Sequence, residues 1–107
     1  MKIVRTTRYT RDMRRIGASP ADMLRLETAI ATNPRVGDVI PDMLGLRKLR
    51  FGLGNRGKRG GGRAIYFLLV ADDTAVMVFA YAKSSQEDMT PDQRRAALDL
   101  IKEMTRD

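Results

Sequence analysis

The order of apolar and polar positions divides the chain into short segments of different period. Lys2 to Thr7 (KIVRTT) is short and β-branched, which predicts a strand. Tyr9, Met13 and Ile16 are spaced four and three apart, the signature of one face of a short helix. Thr10 is a candidate cap for that helix, and Gly17 a candidate stop. Ser19-Pro20 predicts a second start, with Ser19 as N-cap and Pro20 in the first turn. Its apolar face is Met23, Leu26 and Ile30, and Asn33-Pro34 ends it. The two helices read as a packed hairpin.

Arg35 to Gly45 carries glycines and a proline and reads as a loop. Leu46 to Phe51 alternates, Leu49 and Phe51 facing one way and Lys48 and Arg50 the other, as in a half-buried strand. A glycine-rich stretch from Gly52 to Gly62 follows. Arg63 to Ala71 and Ala75 to Ala82 read as buried strands joined by a tight turn at Asp72-Asp73. Thr90-Pro91-Asp92-Gln93 marks a last helix, with Ala97, Leu100, Ile101 and Met104 as its buried stripe. The predicted fold is one α+β domain over residues 1–107, in the order β-α-α-β-β-β-α. Its last three strands are antiparallel, and its helices pack on one face of the sheet.

Composition narrows the chemistry. The 107 residues hold no cysteine and no histidine. Disulfides, thiolate nucleophiles, and the commonest general base and zinc ligands are therefore excluded. No metal site and no cofactor is expected. The longest apolar stretch, Ala64 to Ala71, is too short to span a bilayer. The basic N-terminal stretch lacks an apolar signal region, so the expected location is the cytoplasm.

The net charge is +7, and its distribution is uneven. Leu46 to Arg63 contains Arg47, Lys48, Arg50, Arg56, Lys58, Arg59 and Arg63 and no acid. The rest of the chain balances 13 bases against 13 acids. So concentrated an excess points to an anionic polymer as partner, RNA above all.

Gly52-Leu53-Gly54-Asn55-Arg56-Gly57 matches G-x-G-x-x-G, and its continuation through Lys58 approaches a P-loop. Both motifs need a helix directly after the loop to hold the phosphate. Here a strand is predicted, and Arg59 stands where a P-loop requires Ser or Thr. The stretch is therefore read as a basic loop, not a nucleotide site.

Arg63 opens one strand and Lys83 follows the next. A two-residue turn sets Arg63 opposite Ala82, and a three-residue turn sets it opposite Lys83. Either way Arg63, Tyr81 and Lys83 gather at one end of the hairpin. Such a cluster can cleave RNA without histidine. The 2′-hydroxyl attacks the adjacent phosphorus with help from a base, a charge stabiliser and an acid. Arginine suits the stabilising role, and crowding among like charges brings a lysine closer to neutrality as a base.

GLRKLRF, GKRGGGRAIYF and FAYAKSSQEDMTP, in that order, resemble the RelE/ParE superfamily of toxins, and its HigB-like branch most closely. The resemblance implies a ribosome-dependent mRNA endonuclease, the toxin of a type II toxin–antitoxin pair. It would act without a metal or small-molecule cofactor and be partnered by a helix-turn-helix antitoxin encoded nearby. It assigns Arg63 to the transition state, and Lys48 and Lys58 to holding and activating RNA. Lys83 lies in the segment that ends the last strand, with Tyr81 beside it. The expected RNA-binding set is Arg47, Lys48, Arg50, Arg56 and Arg59. Ser84 stands where well-studied members carry an arginine, and Thr90 near where they carry a tyrosine, so the acid is Lys83 or Tyr81. A non-catalytic nucleic-acid-binding or gyrase-inhibiting module of the same fold is the alternative.

Overall fold

A computed structural model describes residues 1–54 and 61–106. Its elements are β1 (Lys2–Arg5), α1 (Thr7–Arg15), α2 (Pro20–Thr32), β2 (Asp38–Val39), β3 (Arg47–Phe51), β4 (Gly62–Leu69), β5 (Thr74–Ala82) and α3 (Pro91–Thr105). The strands form one five-stranded sheet in the order β1-β5-β4-β3-β2. β1 runs parallel to β5, and the other neighbours are antiparallel. The α+β class is as expected. The predicted loop between α2 and β3 contributes the additional two-residue strand β2.

Local capping chemistry sets the helix boundaries. Ser19 caps α2 and Thr90 caps α3, each in a closed capping box with Pro in the first turn. The cap of α1 is Thr6, not Thr10. Thr6 has extended backbone angles and its hydroxyl accepts the Tyr9 N–H at 3.1 Å, so the helix starts one turn earlier. Gly17, at φ +81°, follows the end of α1 in the left-handed region that glycine enters without strain. Asp22 closes the α2 box by accepting the Ser19 N–H at 2.9 Å. It also accepts the Gly54 N–H at 3.2 Å and pairs with Arg25. The hydrogen bonds hold its carboxyl below the usual carboxylate range, that from the Ser19 backbone most of all.

The β4–β5 connection is longer than a two-residue turn. A single 3₁₀ turn at Val70–Asp72 and a left-handed Asp73 (φ +49°) close it, so that Leu69 pairs with Thr74. Farther along, the register shifts at a β-bulge. Tyr66 pairs with Met77 but Ile65 pairs with Phe79, leaving Val78 as the extra residue. β1 ends at Arg5 opposite Met77, so α1 rather than a strand covers this part of β5. The Thr6 hydroxyl is within 2.9 Å of both the Met77 and Val78 carbonyls, to which it donates. The Asp12 carboxylate, buried, accepts the Ala80 N–H at 3.2 Å.

Two clusters of apolar side chains lie on opposite faces of the sheet. Tyr9 and Met13 of α1 and Leu26 and Ile30 of α2 pack with Phe51, Ala64, Tyr66, Met77 and Ala80. Ala97 and Ile101 of α3 pack with Ile65, Phe67, Val76, Phe79 and Tyr81. The expectation that all helices share one face is thus corrected: the hairpin covers one face and α3 covers part of the other. The reason lies in β4 and β5, which are apolar on both faces and need cover on both. The apolar contact of α3 ends at Ile101, and Met104, expected in the stripe, is 38% exposed.

Two measurements probe this scaffold. Thr6→Val removes the α1 cap and the donor to the bulge, and should cost about 2 kcal/mol in urea unfolding, with Thr6→Ser recovering most of it. The folded-state pKa of Asp22 is lowered, so its stabilisation is complete above the unfolded carboxyl value of about 4 and is lost as pH falls through the folded value. The stability gap between wild type and Asp22→Asn should be constant near neutrality and close in acid. A gap that widens on acidification would contradict this.

Candidate active site

Three strands deliver one transverse row of side chains. Arg50 on β3 pairs with Arg63 on β4, which pairs with Tyr81 on β5. Arg63 therefore opposes neither Ala82 nor Lys83, because the bulge and the longer turn together shift the register. Lys48 lies one row away, two residues before Arg50 on the same side of β3. Lys83 follows the end of β5, and its backbone N–H donates to the Gly61 carbonyl at 3.0 Å, fixing that corner. Lys48, Arg50, Arg63 and Lys83 line an open groove of about 630 Å³ together with Val36, Asp38 and Glu87.

The members of the row differ in freedom. Arg50 and Lys83 are exposed. Arg63 is only 6% exposed, and its Nη1 donates to the Gly62 carbonyl at 3.1 Å. A guanidinium held this way is aimed, whereas one on an exposed stem is not. Gly62 also lets Phe51 lie across its strand, since a Cβ there would sit 2.5 Å from the Phe51 ring. The glycine directly before Arg63 thus serves packing.

Tyr81 is 3% exposed. Its hydroxyl is buried without a hydrogen-bond partner among the described residues. Burial raises its pKa, the Asp88 charge adds to this, and Arg63 opposes it. The phenol therefore stays protonated at neutral pH and offers a proton or a hydrogen bond.

Acidic residues border the groove. Asp88 lies 3.8 Å from Lys48 Nζ and 3.8 Å from the Arg94 guanidinium on α3. Asp38 and Glu87 stand on the groove wall. None of the three was anticipated as part of the site. Gln86-Glu87-Asp88, directly after the strand that carries Tyr81, was the available signal for two of them.

The remaining expected site residues fall elsewhere. Arg47 points to the opposite face, where its Nη1 donates to the Gly37 carbonyl at 2.8 Å and the Arg35 carbonyl at 3.3 Å. It clasps the loop before β2 and stands apart from the cationic row. Arg56, Lys58 and Arg59 lie outside the described residues. Ser84 is exposed just beyond β5. Thr90 is committed to α3, its hydroxyl accepting the Gln93 N–H at 3.1 Å. The element after the glycine-rich stretch is strand β4, which removes the helix a phosphate-binding loop requires.

No family model matches the sequence. The structure is similar to that of the Escherichia coli toxin RelE, determined as a double arginine-to-alanine mutant in the free state. The TM-score is 0.63, over 94% of this chain and 96% of that one. This chain has the RelE fold. Sequence identity is 15%, so the likeness is one of architecture. Within the RelE fold the side chains of this chain make their own site, and the Arg50–Arg63–Tyr81 row is read from its register alone.

The orphaned hydroxyl makes one outcome specific. A buried donor without a partner carries a desolvation cost, so Tyr81→Phe should leave stability unchanged or raise it by up to about 1 kcal/mol. Thermal and urea unfolding of the two proteins measure this. A loss of 1 kcal/mol or more, about what one broken hydrogen bond costs, would mean that the hydroxyl is bonded in the folded protein.

Proposed function

We propose that this protein is the toxin of a type II toxin–antitoxin pair, an mRNA endonuclease of HigB-like type that works on the ribosome and so inhibits translation. The observation that carries the reading is the aimed, buried Arg63, which lines a groove with Lys48, Arg50 and Lys83 and pairs across the strands with Tyr81. The RelE fold supports it, because the similar protein is itself a toxin. The proposed partners are a helix-turn-helix antitoxin, the ribosome and mRNA, in the cytoplasm.

In this reading Lys48 and Arg50 attract the RNA backbone, together with Arg56, Lys58 and Arg59. The 2′-oxygen gives up its proton to a lysine acting as the base, Lys58 in this reading, and bonds to the adjacent phosphorus. Negative charge accumulates on the phosphoryl oxygens and meets Arg63, which cannot lose its proton. The bond from phosphorus to the 5′-oxygen breaks, and that oxygen takes a proton. The proposed donor is Lys83, exposed on the groove wall, or Tyr81, two residues before it and kept protonated by burial. All groups are side chains of this protein, and the proposed cleavage uses neither metal nor cofactor.

A second reading is favoured by Ser84, which leaves the position after Lys83 without a cation. In it the protein is a non-catalytic module of the same fold that binds nucleic acid or inhibits gyrase without cutting. Single-turnover cleavage on programmed ribosomes at saturating protein separates the two. Arg63→Ala should lower cleavage by roughly a hundredfold or more, as loss of an aimed oxyanion donor does. Its ribosome affinity should fall only modestly, since one cation among several is lost. Equal cleavage by Arg63→Ala and wild type would reduce Arg63 to a phosphate contact. Absence of cleavage by both would establish the binding module.

A further inference from the structure

Strand β5 carries Tyr81 at an end where it has a strand neighbour on one side only. β1 stops at Arg5, opposite Met77, and beyond that point no strand among the described residues pairs with the outer edge of β5. The Lys83 N–H bonds to the Gly61 carbonyl on the β4 side, whereas the Ala80 N–H points outward, as alternation along an antiparallel pair requires. Helix α1 lies along this open edge. Its cap residue Thr6 holds the Met77 and Val78 carbonyls, and Asp12, nearly two turns on, accepts the Ala80 N–H at 3.2 Å. Farther out, the Ala82 carbonyl accepts the Ser85 and Gln86 N–H groups at 3.0 and 3.3 Å. Asp12 thus fixes the edge between the bulge and that turn.

Asp12 is 7% exposed, and a polar group at that depth is costly unless it is hydrogen-bonded. Its contact with the exposed Arg15 is long, at 3.9 Å, and worth little. The Ala80 amide is therefore the partner that counts. Ala80 is small and packs in the cluster beneath α1, which lets the helix come close enough for a short side chain to reach the backbone. Tyr81 follows Ala80 directly, and Lys83 lies three residues on. Tyr81 pairs with Arg63 on the neighbouring strand and packs on the other face of the sheet. Asp12 is not among the residues that line the cationic groove.

We infer that Asp12 is a positioning residue for the site: from across the sheet it pins the β5 backbone, so that Tyr81 and Lys83 keep a fixed place relative to Arg63. The consequence for catalysis rests on the endonuclease reading above. A shift of about 1 Å among reacting groups can cost a hundredfold in rate, so this one hydrogen bond governs turnover more than it governs folding. Anion binding is set by the exposed cations of the groove and does not pass through Asp12. Removing the carboxylate therefore separates cleavage from affinity.

The test compares wild type, Asp12→Ala and Asp12→Asn in single-turnover cleavage on programmed ribosomes at saturating protein, beside amide hydrogen exchange of the free full chain. Asparagine keeps an acceptor for the Ala80 N–H and drops the charge, whereas alanine removes both. Asp12→Ala should cleave at least about tenfold more slowly with ribosome affinity within about twofold of wild type, and Asp12→Asn should cleave within about threefold of wild type. The Ala80, Tyr81 and Arg63 amides should exchange at least about tenfold faster in Asp12→Ala but not in Asp12→Asn, with the amides of α3 unchanged in both. Should Asp12→Ala fail to fold, Asp12→Glu, which displaces the carboxylate by one methylene, must show the same separation of cleavage from affinity. Wild-type cleavage by Asp12→Ala, affinity lost in step with cleavage, or no rescue by Asp12→Asn would overturn the inference. Exchange accelerated throughout the chain would overturn it as well, leaving Asp12 a stabiliser of the fold alone. If wild type cuts no message, the endonuclease reading falls, and the exchange pattern by itself decides whether Asp12 holds Tyr81 against Arg63.

Discussion

The site depends on one extra residue in one strand. Carrying the Leu69–Thr74 register unbroken along the hairpin would set Arg63 opposite Ala80. Phe79 and Tyr81 would then turn toward the helix hairpin, and Val78 and Ala80 would take their places opposite Ile65 and Arg63. The bulge at Val78 inverts the alternation beyond it. Ala80, small, then fits under α1, while Phe79 and Tyr81 join the cluster beneath α3. A single insertion thereby provides a packed core on one face and an arginine–tyrosine pair on the other.

A bulge disrupts the hydrogen-bond ladder, and here the disruption is repaired from α1. Thr6 serves two ends at once, accepting from its own helix and donating to the strand. Asp12, buried, accepts the Ala80 N–H. The seat of α1 against β5 is therefore polar as well as apolar, which ties the helix to this register and to no neighbouring one. Tyr9 extends the arrangement, donating to Glu27 of α2 at 2.8 Å, while Arg5 grips the same carboxylate. Strand β1, the hairpin helices and the bulge form one connected unit.

Features written in local chemistry were legible in the sequence. The Ser19-Pro20 and Thr90-Pro91 starts, the alternation of β3 and the apolar runs of β4 and β5 all concern neighbours along the chain. The convergence of Arg63, Tyr81 and Lys83 at one hairpin end was likewise legible. What escaped depends on distant contacts. Nothing in AVMVFAYA distinguishes a bulge at Val78 from a regular strand, because every residue there is apolar and compatible with either face. The placement of α3 on the second face follows from the two-sided burial that this same apolar run requires. Arg47 has the composition of its basic neighbours, but alternation sends it to the opposite face, where it holds the loop before β2.

Asp88 touches Lys48 in the groove and Arg94 on α3 at once. A phosphate that draws Lys48 toward itself weakens that contact and so alters the electrostatic tie on the start of α3. Thermodynamic reciprocity gives the converse: an event that breaks the Asp88–Arg94 contact would change any affinity of the groove for anions by as much as an anion at Lys48 changes that contact. Both pairs are at the surface, so the coupling is worth less than about 1 kcal/mol, a factor of five or so. The helix therefore reports on the groove as a dial of small range, grading occupancy where a switch would impose it.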